Sequence, residues 1–123
     1  MKQLTILIVD DEPIWLKLLY RLFTGSGYQV LVSPSRACAI ETVRSNRPDC
    51  VVLDFNLSDG DAVPVCAAIR ACEERRIPII IFSSDPAAEG CVGTEHGADR
   101  FLPKTTPLKE LLAEVIKLLT VHG

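Results

Sequence analysis

Four well-separated apolar runs end in residues able to do chemistry: Val9 leads into Asp10-Asp11, Leu53 into Asp54, Phe82 into Ser83-Ser84, and Leu102 into Pro103-Lys104. If these runs are parallel strands of one sheet, their ends share one edge. Three carboxylates, a hydroxyl and an ammonium then converge although the sequence separates them widely. Carboxylates so gathered repel by about 4 kcal/mol per pair at ~4 Å in an effective dielectric of about 20, so the cluster requires a proton or a cation. An all-oxygen donor set selects a hard ion. Mg²⁺ suits it, because that ion accepts a few carboxylates while retaining waters and binding phosphate oxygens. The same ion neutralises charge on a transferring phosphoryl group, and Lys104 and Ser83 can hold the remaining oxygens. Phosphoryl transfer to a carboxylate is the chemistry these residues predict.

The elements that must position these groups show in the alternation of periodicities. Short β-rich apolar runs occur at Ile6 to Val9, Tyr28 to Val32, Cys50 to Leu53 and Ile79 to Phe82, with a weaker stretch around Arg100-Phe101-Leu102; their length predicts buried strands. Between the first two, Ile14, Trp15, Leu18, Leu19, Leu22 and Phe23 recur at helical spacing, and Gly25 or Gly27 supplies the stop. Ser33-Pro34 offers a cap and a first helical residue for a second helix whose buried stripe is Ala37, Ile40 and Val43, with Pro48 breaking it. A third helix is predicted over Val63 to Cys72, and a last one from Pro107, capped by Thr106. The stretch from Asp85 to Gly97 carries Pro86, Gly90, Gly93 and Gly97. Each interior glycine lowers helical stability by about 1 kcal/mol relative to alanine, so the fourth helix should be weak. Strand and helix alternate five times, which predicts a parallel sheet covered on both faces, a three-layer α/β sandwich with its site beyond the C-terminal strand ends.

The chain has 123 residues, the size of one domain, with 48% hydrophobic and 24% charged residues. It can bury a core and is neither a disordered tail nor a coiled coil. Its net charge of -3 gives no broad positive field for phosphate backbones, so direct nucleic-acid binding is not expected. The N-terminal apolar run is too short for a signal peptide and meets Asp10-Asp11-Glu12-Pro13, and no run approaches the ~18 apolar residues of a membrane span. Cys38, Cys50, Cys66, Cys72 and Cys91 are odd in number and form no CxxC pair. Free thiols in a reducing cytosol, and a cytoplasmic location, are the expectation.

The acidic pair Asp10-Asp11, the V-V-L-D-F-N-L stretch bearing Asp54, the I-F-S-S stretch bearing Ser83 and the F-L-P-K stretch bearing Phe101 and Lys104 resemble, in this order and spacing, the receiver domain of two-component response regulators. The resemblance covers essentially the whole chain, 1–123, as a single receiver domain. It implies a flavodoxin-like fold, a five-stranded parallel sheet in the order 2-1-3-4-5 with five helices. It also implies that Asp54 accepts a phosphoryl group from a phosphohistidine, on a sensor histidine kinase or phosphotransfer protein, to form an acyl phosphate. Asp11, Asp54, Asp10 and the backbone carbonyl of Asn56 would then hold Mg²⁺, and Ser83 and Lys104 the phosphoryl oxygens. Movement of Ser83 and Lys104 would be coupled to inward rotation of Phe101, stabilising an active conformation for a downstream effector or an output domain absent from this chain. The implied role is a switch rather than an enzyme, with only self-phosphorylation and autodephosphorylation. No output domain follows the last helix, so a single-domain regulator and a receiver excised from a longer protein both remain open.

The chain departs from the family pattern at Thr105, where proline is usual and the bond before it commonly cis; at Ser58, usually proline; at Ala62, commonly glycine; and in the glycine-rich stretch from Ser83 to Phe101, about one residue short. A cis bond before a non-proline residue costs about 2.5–4 kcal/mol, so either the loop bears strain or Lys104 is presented differently. Glu12 reads as a helix-cap carboxylate, Ser84 as a spacer, Trp15 as packing at the rim of the first helix, and His96 and His122 as surface residues. Phe101 reads equally as core or as switch, and Asn56 and Asp85 either as positioners of a hydrolytic water or as turn residues. Two other functions compete. A receiver-like interaction module would keep the fold without phosphorylation. A phosphohydrolase of the haloacid-dehalogenase type would use Asp10 as nucleophile with an aspartate two places later, where Glu12 stands, and an acidic pair after the lysine, where only Glu110 and Glu114 follow.

Overall fold

The computed structural model describes residues 3–72, 76–94 and 97–122. The chain runs β1 (Thr5–Val9), α1 (Pro13–Gly25), β2 (Gln29–Ser33), α2 (Arg36–Asn46), β3 (Cys50–Leu53), β4 (Asn56–Leu57), β5 (Gly60–Asp61), α3 (Val63–Arg70), β6 (Ile79–Ser83), a 3-10 helix (Pro86–Cys91), β7 (Arg100–Pro103) and α4 (Leu108–His122). Five strands form one parallel sheet in the order β2-β1-β3-β6-β7, the flavodoxin-like order. Strands β4 and β5 pair separately as a small antiparallel hairpin.

Strand period explains the layers. Successive side chains point to opposite faces, so Ile6 and Ile8, Cys50 and Val52, and Ile80 and Phe82 pack with Leu19 and Phe23 of α1 and with Leu111, Val115 and Leu118 of α4. Leu7 and Val9, Val51 and Leu53, and Ile79 and Ile81 pack on the other face with Ala39 and Val43 of α2 and Val65, Cys66 and Ile69 of α3. The central strands β1, β3 and β6 are buried on both faces and therefore read as unbroken apolar runs, whereas the edge strands β2 and β7 are only partly buried. Among the described residues no helix is long and apolar enough to cross a membrane, and all five cysteines are free.

Three boundaries differ from the sequence expectation. The cap of α2 is Ser35, whose hydroxyl accepts from the Cys38 N–H, rather than Ser33, which completes β2. The helical phase shifts accordingly, burying Ala39 and Val43 and leaving Ala37 exposed. Helix α3 ends at Arg70, and α4 begins at Leu108 with the Pro107 carbonyl accepting from the Leu111 N–H. The weak fourth helix is a six-residue 3-10 helix capped by the Asp85 carboxylate, which accepts from the Ala87 N–H at 2.9 Å.

Candidate functional site

Backbone hydrogen bonds carry the sheet one residue beyond its strands and so align the chemical groups. The Asp10 N–H donates to the Ser33 carbonyl, the Asp54 N–H to Val9 and the Lys104 N–H to Ser83. Val9 registers with Leu53 and Ser83 with Pro103, so Asp10, Asp54, Ser83 and Lys104 all emerge at the same edge.

The Lys104 ammonium is nearly buried and sits 2.7 Å from Asp10 Oδ2, 3.0 Å from Asp54 Oδ2 and 3.9 Å from Glu12 Oε1. Asp54 Oδ1 accepts from the Phe55 N–H at 2.7 Å, and Asp10 Oδ1 from the Glu12 N–H at 2.9 Å, so each buried carboxylate has one oxygen fixed by backbone and the other by Lys104. One carboxylate oxygen from each of Asp10, Asp11, Glu12 and Asp54 lies within 4.8 Å of the others. Burial, together with the neighbouring Asp54 charge, pushes the Asp10 carboxyl above its usual range, even though Lys104 and the Glu12 N–H act downward. Burial would lower the Lys104 ammonium, but its hydrogen bonds to Asp10 and Asp54 outweigh that and raise it. An acidic cluster that raises one of its own carboxyls and draws in a lysine is short of positive charge. Its donors are all oxygen and lie close enough together to hold a metal ion, and such donors suit a hard divalent cation.

Above this cluster opens a cavity of about 530 Å³ lined by Asp11, Glu12, Asp54, Asn56, Ser83, Ser84, Asp85, Pro86 and Lys104. Its far wall is fixed by a hydrogen bond from Asn56 Nδ2 to Asp85 Oδ2 at 2.8 Å, and by the Asp85 N–H donating to Ser83 Oγ at 3.2 Å. The Asn56 amide, with the Ala87 N–H, holds the Asp85 carboxyl below the usual carboxylate range. The arrangement presents a fixed carboxylate, an ammonium, a hydroxyl and a cation-binding cluster to one opening, which is suited to receiving and holding a phosphoryl group.

The structure thus brings together Asp10, Asp11, Asp54, Asn56, Ser83 and Lys104. Asp10 lies beneath the cavity rather than on its wall, buried to 2% exposure. Phe101 does not reach the opening; it is half-buried against the core shared with α2 and α3, in register with Ile81. His96 and the side chain of His122 lie outside the described residues. Among the described residues no peptide bond is cis, and Lys104 meets both aspartates across a trans bond to Thr105. Ser58 lies in the turn of the β4–β5 hairpin, the local form of the loop after Asp54, and Ala62 directly follows β5.

Three contributions escaped the sequence reading. Glu12 stands at the N-cap of α1 but makes no side-chain cap bond, and its carboxylate instead joins the cluster. Ser84 lines the cavity rather than acting only as a spacer. The Trp15 ring lies 5.0 Å from Lys104 Nζ, so it borders the site as well as packing. The signal available for Glu12 and Trp15 was position, since the first turn of a helix that follows an acidic strand end must lie beside that end.

A family model described as the response regulator receiver domain matches residues 6–116. The response regulator MprA of Mycobacterium sp. (strain KMS) is 34% identical over 114 residues, which are 93% of this chain and 50% of that protein. The transcriptional regulatory protein PrrA of Mycobacterium tuberculosis (strain ATCC 25618 / H37Rv) is 37% identical over 119 residues, 96% of this chain and 51% of that protein. The chain therefore spans about half the length of these curated relatives. Among solved structures, a two-component response regulator from Clostridium difficile superposes with a TM-score of 0.85 at 27% identity, covering 96% of this chain and 97% of that one. A CheY-like receiver domain protein from Methanospirillum hungatei JF-1, at 20% identity, shares the fold with a TM-score of 0.89 over 98% and 97% of the two chains. With the acidic strand ends, the parallel sheet order and a family match over most of its length, the chain belongs to the response regulator receiver domains of two-component systems.

Proposed function

We propose that residues 1–123 act as one receiver unit, a phosphorylation-activated switch in which Asp54 takes a phosphoryl group from a phosphohistidine of a sensor histidine kinase or phosphotransfer protein. The observation that carries this reading is the Asp54 carboxylate, buried to 6% exposure, anchored at Oδ1 by the Phe55 N–H and paired at Oδ2 with Lys104 at the floor of an open cavity. Anchoring reduces the motion the nucleophile must give up on the way to an in-line transition state. An Asp54 oxygen attacks phosphorus, the phosphorus–nitrogen bond breaks, and the imidazole leaves with the electron pair. Asp10, Asp11, Asp54 and the Asn56 backbone carbonyl would hold Mg²⁺, which supplies charge neutralisation for the phosphoryl oxygens when bound. Lys104 moves from Asp54 Oδ2 to a phosphoryl oxygen, and the Ser83 hydroxyl exchanges the Asp85 N–H for another.

That exchange is the switch. Ser83 ends β6 beside β7, which carries Phe101 two residues before the Ser83 partner Pro103, so movement of Ser83 reaches the half-buried ring through adjacent strands. The new contacts exist only in the phosphorylated state and bias the partner-binding face towards its active form. Asn56 and Asp85 hold the mouth of the cavity and would set the approach of a hydrolytic water, hence the lifetime of the signal. The chemistry is self-modification, a cytoplasmic signal read by an effector protein or by an output domain outside this chain rather than turnover of a substrate, without direct nucleic-acid or membrane binding.

Incubation with acetyl phosphate, followed by intact mass, tests this directly. Wild type gains one phosphoryl mass with Mg²⁺ and none without it, and Asp54→Asn gains none in either condition. Modification that survives in Asp54→Asn points to Asp10 and a hydrolase mechanism. No modification by acetyl phosphate or by a cognate kinase points to a module that signals without phosphate.

A further inference from the structure

The Lys104 ammonium has four neighbours of two kinds. Asp10, Asp54 and Glu12 are anionic, at 2.7, 3.0 and 3.9 Å. The fourth is the face of Trp15, whose ring centroid is 5.0 Å from Nζ, inside the range in which a cation is attracted to an indole. Trp15 stands in the first turn of α1, immediately after the acidic strand end, and its ring is held edge-on against buried Phe82 of β6 at 5.3 Å and an interplanar angle of 88°. The indole is therefore a fixed wall, not a loose surface ring.

The anionic neighbours are the ones that the proposed reaction takes away. A cation on the acidic cluster would be held by Asp10 and Asp54, phosphorylation would convert the Asp54 carboxylate into an acyl phosphate, and the Glu12 side chain is 60% exposed and too distant for a hydrogen bond. The indole is neutral, and nothing in the reaction alters it. We infer that Trp15 is a positioning residue for Lys104: its ring keeps the ammonium over the site while Lys104 leaves the carboxylates and turns to the phosphoryl group. This rests on Asp54 being the phosphoryl acceptor.

The test compares wild type with Trp15→Phe, which keeps an aromatic face, and Trp15→Leu and Trp15→Met, which fill space without one. Each is checked for cooperative thermal unfolding, then assayed for phosphorylation by acetyl phosphate across Mg²⁺ concentrations, and for binding of beryllofluoride, a phosphoryl stand-in, by thermal shift at saturating Mg²⁺. The expected result is a phosphorylation rate about tenfold lower in the aliphatic variants at saturating Mg²⁺ and donor, with beryllofluoride affinity reduced to a similar degree and half-saturating Mg²⁺ unchanged. Trp15→Phe recovers most of both. The inference is overturned if the aliphatic variants stay within about twofold of wild type, or if Trp15→Phe loses as much as they do, which marks a packing role only. A wild type that takes no phosphoryl group overturns the phosphorylation reading and this inference together; a wild type that is phosphorylated with indifference to residue 15 overturns this inference alone.

Discussion

The proposed function asks one ammonium, that of Lys104, to do two jobs. Lys104 is the counter-ion of Asp10 and Asp54, its Nζ bound to an oxygen of each; in the proposed phosphoryl transfer it would also bind the phosphoryl group. A cation held by Asp10 and Asp54 would therefore compete with Lys104 for these carboxylates. Replacing Lys104 with methionine should tighten Mg²⁺ binding in calorimetry while slowing phosphorylation by at least about tenfold, because the ammonium is lost as competitor and as ligand alike. The same variant should melt lower than wild type without Mg²⁺, since it leaves buried Asp10 and Asp54 unpaired, and should recover most of the difference when Mg²⁺ is added. Weaker Mg²⁺ binding in the variant would mean that Lys104 orders the carboxylates rather than competing for them. At this scale the strand-end acids were legible in the sequence, because Asp10 and Asp54 each follow an apolar run that reads as a buried strand, and Lys104 was legible as the end of the weaker edge run of β7. The partners of Lys104 were less so. Glu12 carries a residue type that equally suits a helix cap, and the indole of Trp15 reaches the ammonium through a helix orientation that periodicity alone does not specify.

The least legible element is the β4–β5 hairpin after Asp54. Its Asp59 carboxylate accepts from the N–H groups of Arg36 and Ala37 at 2.8 and 3.1 Å, capping α2 from 22 or 23 residues away in sequence, and Arg36 Nη1 donates to the Asp61 carbonyl. Gly60 between them adopts φ +133°, and a side chain there would meet the Arg36 guanidinium. Local cap rules point to a serine and succeed once shifted to Ser35, but a cap supplied by a distant loop leaves no periodic trace. Asp59→Ala should lower the melting temperature by a few degrees and loosen the hairpin that carries Asn56, seen as faster amide exchange at Arg36 and Ala37; unchanged exchange there would exclude a capping role. The segment after β6 was legible in kind. Pro86 and the three glycines predicted a poor helix, and a 3-10 helix followed by a bridge between Val92 and Ala98 is what forms. Gly97 is required by close approach, because a Cβ would overlap the Cys91 carbonyl oxygen; Gly97→Ala should cost about 2 kcal/mol in chemical denaturation.

Across the whole molecule, the two ends of the sheet are charged for different reasons. At the C-terminal edge the acids outnumber their counter-ion, which stores repulsion for a cation to relieve. At the opposite edge the nearly buried Arg70 guanidinium donates to the Asp99 carboxylate at 2.9 Å and to the Gly97 and Ile77 carbonyls, while Asp99 also accepts from Arg76 and the Ile79 N–H. Burial alone would raise the Asp99 carboxyl, but the Ile79 N–H and the two guanidiniums outweigh it and hold it below the usual range. A carboxyl depressed in the folded state contributes stability that is fully present above its unfolded value of about 3.9 and is lost as pH falls through the folded value. Asp99→Asn should therefore cost about 3 kcal/mol in urea unfolding at pH 7 and flatten the acid limb of the stability profile; an acid limb equal to that of wild type would contradict this assignment.

The central claim, that Asp54 is the phosphoryl acceptor of this fold, is tested most directly by trapping the acyl phosphate. The protein is phosphorylated with acetyl phosphate and Mg²⁺, reduced with borohydride, which converts an aspartyl phosphate to homoserine, and digested for peptide mass mapping. Homoserine at position 54 alone is the predicted result. Homoserine at position 10 or 11, with position 54 unmodified, would contradict the account.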